Sequence, residues 1–480
     1  MPTFYIEQFG CRATQADGAA LEHQLLRRGY TPSPRDAADI VVVNTCTVTA
    51  AADAQARDAI RKIRDANRVA CVVVTGCYAQ RAPEELAALP GVAWVVGNSH
   101  KPELPQIIEN LSWPSLASDF VPAASLQQGP VANFQASAKI LTGAFKLQPL
   151  HSAPVFGGEG NHTRPTLKIQ DGCNSRCSYC VIPLVRGNSR SLPPETVVHE
   201  VNQLTASGVR EIVLSGINLG TYGRDLSPRI AFGDLLHRIL EETPVERLRI
   251  SSIEPMDVTS DLVRFFATND RMAQHFHMPL QSGNDRILAA MHRWYRAEHY
   301  ALRVQLIRER LPNAAIGADV IAGFPGETQE EHSSTVAFID NLPFTYLHVF
   351  SFSKRPGTAA ALLSGEIPAN VIRNRARELR ALGERKSAAF RREQVGKQLR
   401  VLTLRSANDD DALPENLLAV ATHQPQHTPA LSSNYVRVRL SGTWPANQWV
   451  NARISDGEGN CLPGEPEESV DCSATAYTCS

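Results

Sequence analysis

The chain is predicted to be an α/β protein with a doubly wound parallel-sheet domain, an incomplete parallel (β/α)6 barrel and a small C-terminal β-barrel. Strand and helix patterns alternate over residues 1–110 and again, six times, over 164–393, whereas short strands without helices follow over 394–454. Alternation of buried strands with helices is the pattern of parallel sheets. A chain of 480 residues is also too long for one hydrophobic core, so several domains are expected.

Residues 1–110 are expected to form the first domain. The apolar run at Asp39–Asn44 is continuous rather than alternating, which is typical of a strand covered on both faces. The predicted strands are Thr3–Phe9, Asp39–Asn44 and Val69–Thr75. The predicted helices are Gln15–Arg28, the alanine-rich Ala50–Ala66, and Ala82–Ala88.

Three cysteines of this domain each follow a predicted strand: Cys11, Cys46 and Cys77. In an open parallel sheet, ligands gather outside the carboxyl ends of the strands. Residues far apart in sequence are therefore expected to converge on one rim, and we predict a metal site there. The alternative is that they are small buried apolar residues, as unpaired cysteines often are. Cys71 lies within a strand, and we assign it that packing role.

The second domain is predicted over residues 164–393 as a barrel whose site lies at the carboxyl ends of its strands. Polar groups follow several of these strands and together resemble a cofactor cradle, although each alone can be turn chemistry or a helix cap. The residues assigned to the cradle are Ser215, Gly216, Glu254, Gln281 and Asp319. The predicted strands are Thr166–Gln170, Glu211–Ser215, Arg247–Ser252, His275–Leu280, Ala315–Ile321 and Tyr346–Phe352.

A loop directly after the first barrel strand holds Cys173, Cys177 and Cys180 with C-x3-C-x2-C spacing. A four-iron cluster normally takes four cysteines and a structural zinc takes four ligands, yet no cysteine or histidine lies within the eighteen residues after the loop, and the first to follow is His199. Three thiolates that leave one metal corner open favour an iron–sulfur cluster that binds a cofactor or substrate. A zinc site closed by a distant histidine, or a disulfide with one spare thiol, remains open on spacing alone.

The connecting and terminal segments have different compositions. Residues 111–163 are rich in Pro, Ser, Ala, Gln and Gly and are predicted to be a linker. The tail, residues 455–480, is rich in Gly, Glu, Pro and Ser and is predicted to be disordered. Its cysteines lack metal-like spacing.

The C-terminal barrel, residues 394–454, is predicted from short alternating strands. An acidic insertion, Asn408–Asp411, splits the barrel. Residues 371–400, which lead into the barrel, carry ten Lys/Arg against three Glu; such a stretch is usually a solvated face, but it also suits phosphate contacts. The predicted strands are Gln398–Leu404, Asn434–Leu440 and Trp449–Ile454.

Composition narrows the compartment and the partners. The start, Met1–Gln8, lacks the basic and long apolar regions of a signal peptide, and no eighteen apolar residues run together. We therefore expect a cytoplasmic protein with no membrane segment, in which clustered cysteines favour metal binding or catalysis over disulfides. With a formal net charge of −1, a nucleic acid would have to be held by local basic patches.

With these motifs, the chain resembles the radical S-adenosylmethionine (SAM) methylthiotransferases along nearly its whole length, apart from the linker, the insertion and the tail. In the first domain the resemblance rests on Gly10–Cys11, Asn44–Val48 and Thr75–Gln80. In the second domain it rests on Cys173–Pro183, Arg186–Ser191, His277–Gly283, Ala318–Glu327 and Arg355–Thr358. The C-terminal barrel looks like the RNA-binding TRAM domain of that family.

The resemblance implies two [4Fe-4S] clusters and SAM as cofactors. Cys173, Cys177 and Cys180 would hold the cluster that binds SAM and cleaves it to a 5′-deoxyadenosyl radical. The first-domain triplet would hold an auxiliary cluster that carries the methylthio group. The cofactors would supply the chemistry, and the protein would supply distance and exclusion of water.

The resemblance also suggests a substrate. Leu214–Asp225, His275–His277 and His348–Phe350 look like the branch that acts on N6-threonylcarbamoyladenosine (t6A) at position 37, beside the tRNA anticodon, forming its 2-methylthio derivative. A tRNA anticodon stem-loop, a flavodoxin- or ferredoxin-type electron donor and a monomeric state are the matching expectations. Isopentenyladenosine in tRNA or an aspartate of a ribosomal protein are the alternative substrates. A different class of function is an RNA-binding protein whose iron–sulfur or zinc sites are only structural.

Overall fold

The computed structural model describes residues 2–110, 138–145, 163–405, 427–457 and 459–467. The elements of the N-terminal domain are β1 (Thr3–Gln8), α1 (Arg12–Arg27), β2 (Thr31–Pro32), β3 (Ile40–Thr45), α2 (Ala50–Ala66), β4 (Cys71–Gly76), α3 (Cys77–Arg81), α4 (Pro83–Ala87), β5 (Val92–Gly97), α5 (Leu104–Glu109) and β6 (Lys139–Leu141). The six strands form one parallel sheet in the order β2-β1-β3-β4-β5-β6.

Both faces of this sheet are covered by helices, as the continuous apolar strands predict. Leu21 and Leu25 of α1 pack with α5 on one face, while Ile60 and Ile63 of α2 pack with α3 and α4 on the other. Helix α2 begins at the predicted residue because the Thr49 side chain accepts a hydrogen bond from the Ala52 amide (3.2 Å). The direction of the strand order changes between β1 and β3, and ligand sites of open parallel sheets lie at such a point.

The prediction that residues 111–163 form only a linker is wrong for one short segment. Within residues 111–163, β6 adds a sixth strand beside Trp94–Val96 of β5. Lys139 and Ile140 of β6 are exposed, so this short edge strand is specified by backbone pairing and has no apolar alternation from which it could be predicted. Residues 111–137 and 146–162 of the predicted linker lie outside the described residues.

The central domain contains β7 (Thr166–Lys168), β8 (Gln170–Asp171), α6 (Ile182–Arg186), β9 (Arg190–Ser191), α7 (Pro194–Ala206), β10 (Glu211–Ser215), α8 (Phe232–Glu242), β11 (Arg247–Ile250), α9 (Ser260–Thr268), β12 (His275–His277), α10 (Asp285–Ala290), α11 (Ala297–Arg310), β13 (Ala315–Ala322), α12 (Gln329–Asp340), β14 (Tyr346–Ser351) and α13 (Ala369–Arg392). Six parallel strands follow one another as β7-β10-β11-β12-β13-β14, with β11 and β12 joined by isolated bridges such as Ser252–His277. In the described part of the chain no pairing joins β7 to β14, so the barrel is open along one side.

The C-terminal barrel contains β15 (Gln398–Thr403), β16 (His427–Ser432), β17 (Arg437–Ser441), β18 (Trp449–Ile454) and β19 (Leu462–Pro466). It closes in the order β15-β16-β17-β19-β18. The prediction of a disordered tail over 455–480 is therefore wrong for β19, which fills the gap between β17 and β18 and buries Leu462. Residues 406–426 and 468–480, which include the acidic insertion, Cys472 and Cys479, lie outside the described residues.

The C-terminal barrel docks at the amino ends of the central strands, opposite the cysteine loop. Arg249 donates hydrogen bonds to the carbonyl oxygens of Ser432 (3.0 Å) and Ser433 (3.2 Å), and Arg247 donates to the carbonyl of Arg400 (3.1 Å). Within the described residues, no helix is long and apolar enough to cross a membrane.

Candidate functional site

The structure brings the three N-terminal cysteines to one rim of the sheet. Cys11 caps α1 after β1, Cys46 follows β3, and Cys77 begins α3 after β4. Burial, and after it the negative charge of Cys11 and Cys77, raises the pKa of the Cys46 thiol to about 12, so the three sulfurs lie within electrostatic reach of one another. At Gly10 the backbone has a φ of 97°, and an added Cβ would lie 2.4 Å from the Cys46 Cβ. Only glycine lets the chain pass this thiol.

A buried arginine from the central domain faces this triplet. Arg186 is 1% exposed; it donates to Asp171 (3.0 Å), to Asp17 (3.1 Å) and to the Thr14 hydroxyl (3.2 Å), and its charge opposes the burial that raises the pKa of Cys77. Arg186 therefore both joins the two domains and supplies positive charge where deprotonated thiolate ligands would need it.

The second triplet lies in the loop between β8 and α6. The Ser175 amide donates to the Cys173 sulfur (3.4 Å), and Arg293 donates to the Cys177 sulfur (3.3 Å). Burial raises the pKa of Cys180 to about 12. Donors directed at sulfur suit thiolates bound to iron, because hydrogen bonds to such sulfurs help to set the potential of a cluster.

The two triplets meet across the domain boundary. Cys77 packs against Val181 and Val185, which directly follow the second triplet, and Asn98 donates both to the Cys77 sulfur (3.5 Å) and to the Val185 carbonyl (2.8 Å). A cavity of about 210 Å³, here called the reaction cavity, lies beside this contact. Its lining combines Val48 and Thr49, Tyr179–Ile182, Gln281, Asp319, Ile321 and Phe350–Ser353.

The donor sets fit clusters better than single ions. A zinc ion with bonds of about 2.3 Å in tetrahedral geometry requires sulfurs about 3.8 Å apart. Among the described residues, the one group of three such side chains with ligand atoms all within 4.8 Å of one another is His277, Asp319 and His348. The sulfurs of each triplet are thus spread more widely than one ion allows. All six cysteines are unpaired thiols, so the structure contains no disulfide in either triplet.

The five residues assigned to the cofactor cradle lie in three places. Gln281, with a φ of 67°, and Asp319 line the reaction cavity beside Cys180. Ser215 ends β10, and Gly216 follows it next to Gln170. Glu254 pairs with Arg293, although burial still raises the pKa of its carboxyl group. The structure thus places each residue near a cysteine loop or the cavity, and their role as SAM contacts stays a prediction.

Sequence reasoning missed Arg293 and Asn98, which contact cysteine sulfurs. Both lie far along the chain from the sulfur they contact, Arg293 by 116 residues and Asn98 by 21. No local spacing marks either residue. Arg186, by contrast, belongs to the motif Arg186–Ser191, although the sequence alone does not indicate its role.

A histidine pair stands on the inner face of the barrel beside the cavity. His277 shares one hydrogen bond with Asp319 (2.9 Å) and another with the Tyr346 hydroxyl (2.9 Å), and His348 lies 3.4 Å from the same Asp319 oxygen. Burial alone would raise the pKa of Asp319, but the two imidazoles hold it well below its ordinary value.

Comparison with known proteins finds a described family for each of two parts of the chain. Residues 3–97 match the family described as "Uncharacterized protein family UPF0004", and residues 167–339 match the "Radical SAM superfamily". The chain is 37% identical, over 415 residues, to the threonylcarbamoyladenosine tRNA methylthiotransferase MtaB of Aquifex aeolicus, covering 86% of this chain and 95% of the relative. The chain belongs to the radical SAM methylthiotransferases.

Other methylthiotransferases are similar over comparable lengths. The MtaB protein of Bacillus subtilis is 32% identical over 92% of this chain and 91% of its own. The tRNA-2-methylthio-N(6)-dimethylallyladenosine synthase of Carboxydothermus hydrogenoformans is 30% identical over 85% of this chain and 89% of its own.

The fold of this methylthiotransferase is also similar to a solved structure. The radical S-adenosylmethionine methyltransferase TsrM from Kitasatospora setae superposes with a TM-score of 0.53 at 16% identity, covering 75% of this chain and 77% of TsrM. Together with the strand order and the closed terminal barrel, this similarity confirms the predicted fold class.

Proposed function

We propose that this methylthiotransferase converts N6-threonylcarbamoyladenosine at position 37 of tRNA to its 2-methylthio derivative. The observation that carries the proposal is the contact of Cys77 with Val181 and Val185, which brings the two cysteine triplets to opposite sides of one domain boundary. The substrate is taken from the relatives named MtaB at 32–37% identity.

The proposed cofactors are SAM and two [4Fe-4S] clusters, which would supply the radical and the methylthio group. Cys173, Cys177 and Cys180 would hold one cluster, and Cys11, Cys46 and Cys77 the other. The side chains around the two triplets would orient these cofactors and exclude water from them. Arg186 and Arg293 place positive charge beside the thiols. Ser215, Gly216, Glu254, Gln281 and Asp319 are the proposed SAM contacts.

The positive charge exposed on helix α13 supports tRNA as the proposed partner. Helix α13 presents several exposed arginines, including Arg373, Arg377 and Arg385, which suits contact with the phosphates of an anticodon stem-loop. An external one-electron donor of the flavodoxin or ferredoxin type, a monomeric state and a cytoplasmic location complete the proposal.

Nucleoside mass spectrometry tests the substrate. A strain that lacks the protein should lose the 2-methylthio derivative of threonylcarbamoyladenosine and accumulate the precursor. If the strain instead lost the 2-methylthio derivative of isopentenyladenosine, the protein would belong to the branch of the family that acts on isopentenyladenosine.

Cysteine variants test the site. The double variant Cys46→Ala/Cys77→Ala should abolish product formation, whereas Cys71→Ala, which alters a strand cysteine of the same domain, should leave it intact. Product formed normally by the double variant would contradict the proposal.

Anaerobic reconstitution separates the enzyme from an RNA-binding protein with structural metal sites. The enzyme should bind about eight iron atoms and release 5′-deoxyadenosine from SAM when reduced. Bound zinc without SAM cleavage would support the structural alternative.

A further inference from the structure

A second cavity lies behind the reaction cavity, between β14, α13 and the C-terminal barrel. Its volume is about 340 Å³, and we call it the arginine cavity. It is lined by Tyr346, His348 and three arginines, Arg380, Arg391 and Arg437, whereas Glu384 is the one carboxylate among its described lining residues. The balance of charge in the arginine cavity therefore favours an anion.

The linings of the two cavities are in contact at one pair of side chains, which we call the Asp319–His348 layer. Asp319 lines the reaction cavity and His348 lines the arginine cavity, and the Asp319 Oδ1 and His348 Nδ1 atoms are 3.4 Å apart. His348 is 45% exposed and belongs to the lining of the arginine cavity. A substituent that projects from a base in the reaction cavity would reach the arginine cavity by passing this layer.

Arg380 anchors the open side of this layer. Its guanidinium donates one hydrogen bond, to the Val349 carbonyl of the edge strand β14 (3.4 Å), which fixes it next to His348. A guanidinium has five N–H donors in a planar fork that matches a carboxylate. Arg380 therefore has capacity for a carboxylate ligand beyond this backbone contact.

The group around Asp319 does not need a metal ion to explain it. Both ring nitrogens of His277 already have hydrogen-bond partners, Asp319 and the Tyr346 hydroxyl, each at 2.9 Å. One oxygen of the Asp319 carboxylate in turn lies 2.9 Å from His277 Nε2 and 3.4 Å from His348 Nδ1. Hydrogen bonds thus account for the close spacing of His277, Asp319 and His348.

We propose that the arginine cavity binds the carboxylate of the threonylcarbamoyl group, with Arg380 and His348 as the specificity-determining contacts. This inference rests on the proposed function. The N6 atom and the carboxylate carbon of that group are four bonds apart, about 5 Å when extended, which exceeds the 3.4 Å between Asp319 Oδ1 and His348 Nδ1. An isopentenyl group of similar length carries no charge and has no oxygen that could accept hydrogen bonds from Arg380 or His348.

The test measures binding of three anticodon stem-loop RNAs that differ only at position 37: t6A, isopentenyladenosine or adenosine. The wild-type protein should prefer the t6A RNA. Arg380→Gln and His348→Phe should each lower the ratio of t6A to adenosine affinity by about 10-fold, the effect of one lost hydrogen bond to a charged group, and leave adenosine RNA binding unchanged. Arg380→Lys keeps the charge and should retain most of the preference.

Arg377→Gln is the matched control, because it removes one charge from the same helix outside the cavity. It should leave the affinity ratio unchanged. Equal weakening of all three RNAs by Arg380→Gln would assign this arginine to tRNA phosphates and overturn the inference.

The outcomes also separate this inference from the proposed function. If the wild-type protein forms the methylthio product from t6A but both variants keep the wild-type affinity ratio, the function stands and the cavity assignment fails. If the wild-type protein modifies only isopentenyladenosine RNA, the proposed function itself fails.

Discussion

The strongest stability prediction concerns Glu211, which holds the central barrel and the C-terminal barrel together. Its carboxylate is fully buried and accepts hydrogen bonds from Arg249 (2.7 Å), Arg164 (3.3 Å) and Arg247 (3.3 Å). Two of these arginines in turn bind backbone carbonyls of the C-terminal barrel. The variant Glu211→Gln would remove the one negative charge that these three buried guanidinium groups share at this position.

The structure gives the size of this effect. Although burial raises the pKa of Glu211, the three arginines lower it from the ordinary 4.5 to about 2. This difference corresponds to about 3 kcal/mol of preference for the ionised form. Removal of one partner from a buried ion pair typically costs about 3–5 kcal/mol. We therefore expect the variant to lose about 3 kcal/mol of unfolding free energy at pH 7.

The same shift predicts a pH dependence. Because the folded pKa is depressed, the contribution of Glu211 is fully present above the unfolded pKa of 4.5 and is lost as the pH falls towards 2. Over this window the wild-type protein should lose stability more steeply than Glu211→Gln.

Urea unfolding followed by tryptophan fluorescence measures both effects, because Trp449 stacks on the Arg247 guanidinium at 4.1 Å. Glu246→Gln is the control: Glu246 binds Arg210, Arg400 and Trp449 at the same interface but is 39% exposed, so it should contribute below about 1 kcal/mol. A loss below about 1 kcal/mol for Glu211→Gln, with an unchanged pH profile, would refute this reasoning.

Three further predictions concern the cysteine triplets. Arg186→Gln should lower the free energy of unfolding by about 3–5 kcal/mol, because Asp17 and Asp171 lose a buried partner. Chemical unfolding measures this loss. Arg190→Gln is the control and should lower the free energy of unfolding less, because Arg190 lies farther from Asp171, at 3.8 Å. Gly10→Ala should reduce the amount of iron bound at the N-terminal triplet after anaerobic reconstitution, because the new Cβ would lie 2.4 Å from the Cys46 Cβ. Full iron content in this variant would contradict the prediction. Gly208→Ala controls for backbone strain, because Gly208 also has a positive φ but open space around it. Arg293→Gln should make the reduction potential of the second cluster more negative, because the Cys177 sulfur loses a charged donor; redox titration by electron paramagnetic resonance measures it, with Arg176→Gln as the control.

The sequence predicted the parts of the site that depend on the order of elements along the chain. Cys11, Cys46 and Cys77 could be assigned to one rim because each follows a strand of a parallel sheet, and the connection rules of such sheets place strand ends together. The Cys173–Cys180 loop was predictable from local spacing alone. Both assignments depend on short-range information.

The remainder depends on contacts that no local pattern encodes. Arg293 reaches Cys177 across 116 residues, and Arg186 reaches Asp17 across 169. Strands β6 and β19 were missed because they are edge or gap-filling segments that pair through backbone groups and bury little apolar surface. Lys139–Leu141 is largely exposed, and Leu462–Pro466 contains two prolines and a glycine, which is the composition of a turn.

The two ends of the central strands face different parts of the molecule. The C-terminal barrel docks at their amino ends, whereas the loop that holds Cys173, Cys177 and Cys180 follows the carboxyl end of the first strand. A tRNA loop that contacted both would have to extend along the length of the strands, and the base to be modified would have to be rotated out of its stack to reach the cavity beside Cys180. The strands would then act as a ruler that sets which nucleotide, counted from the one on the C-terminal barrel, arrives at the thiols.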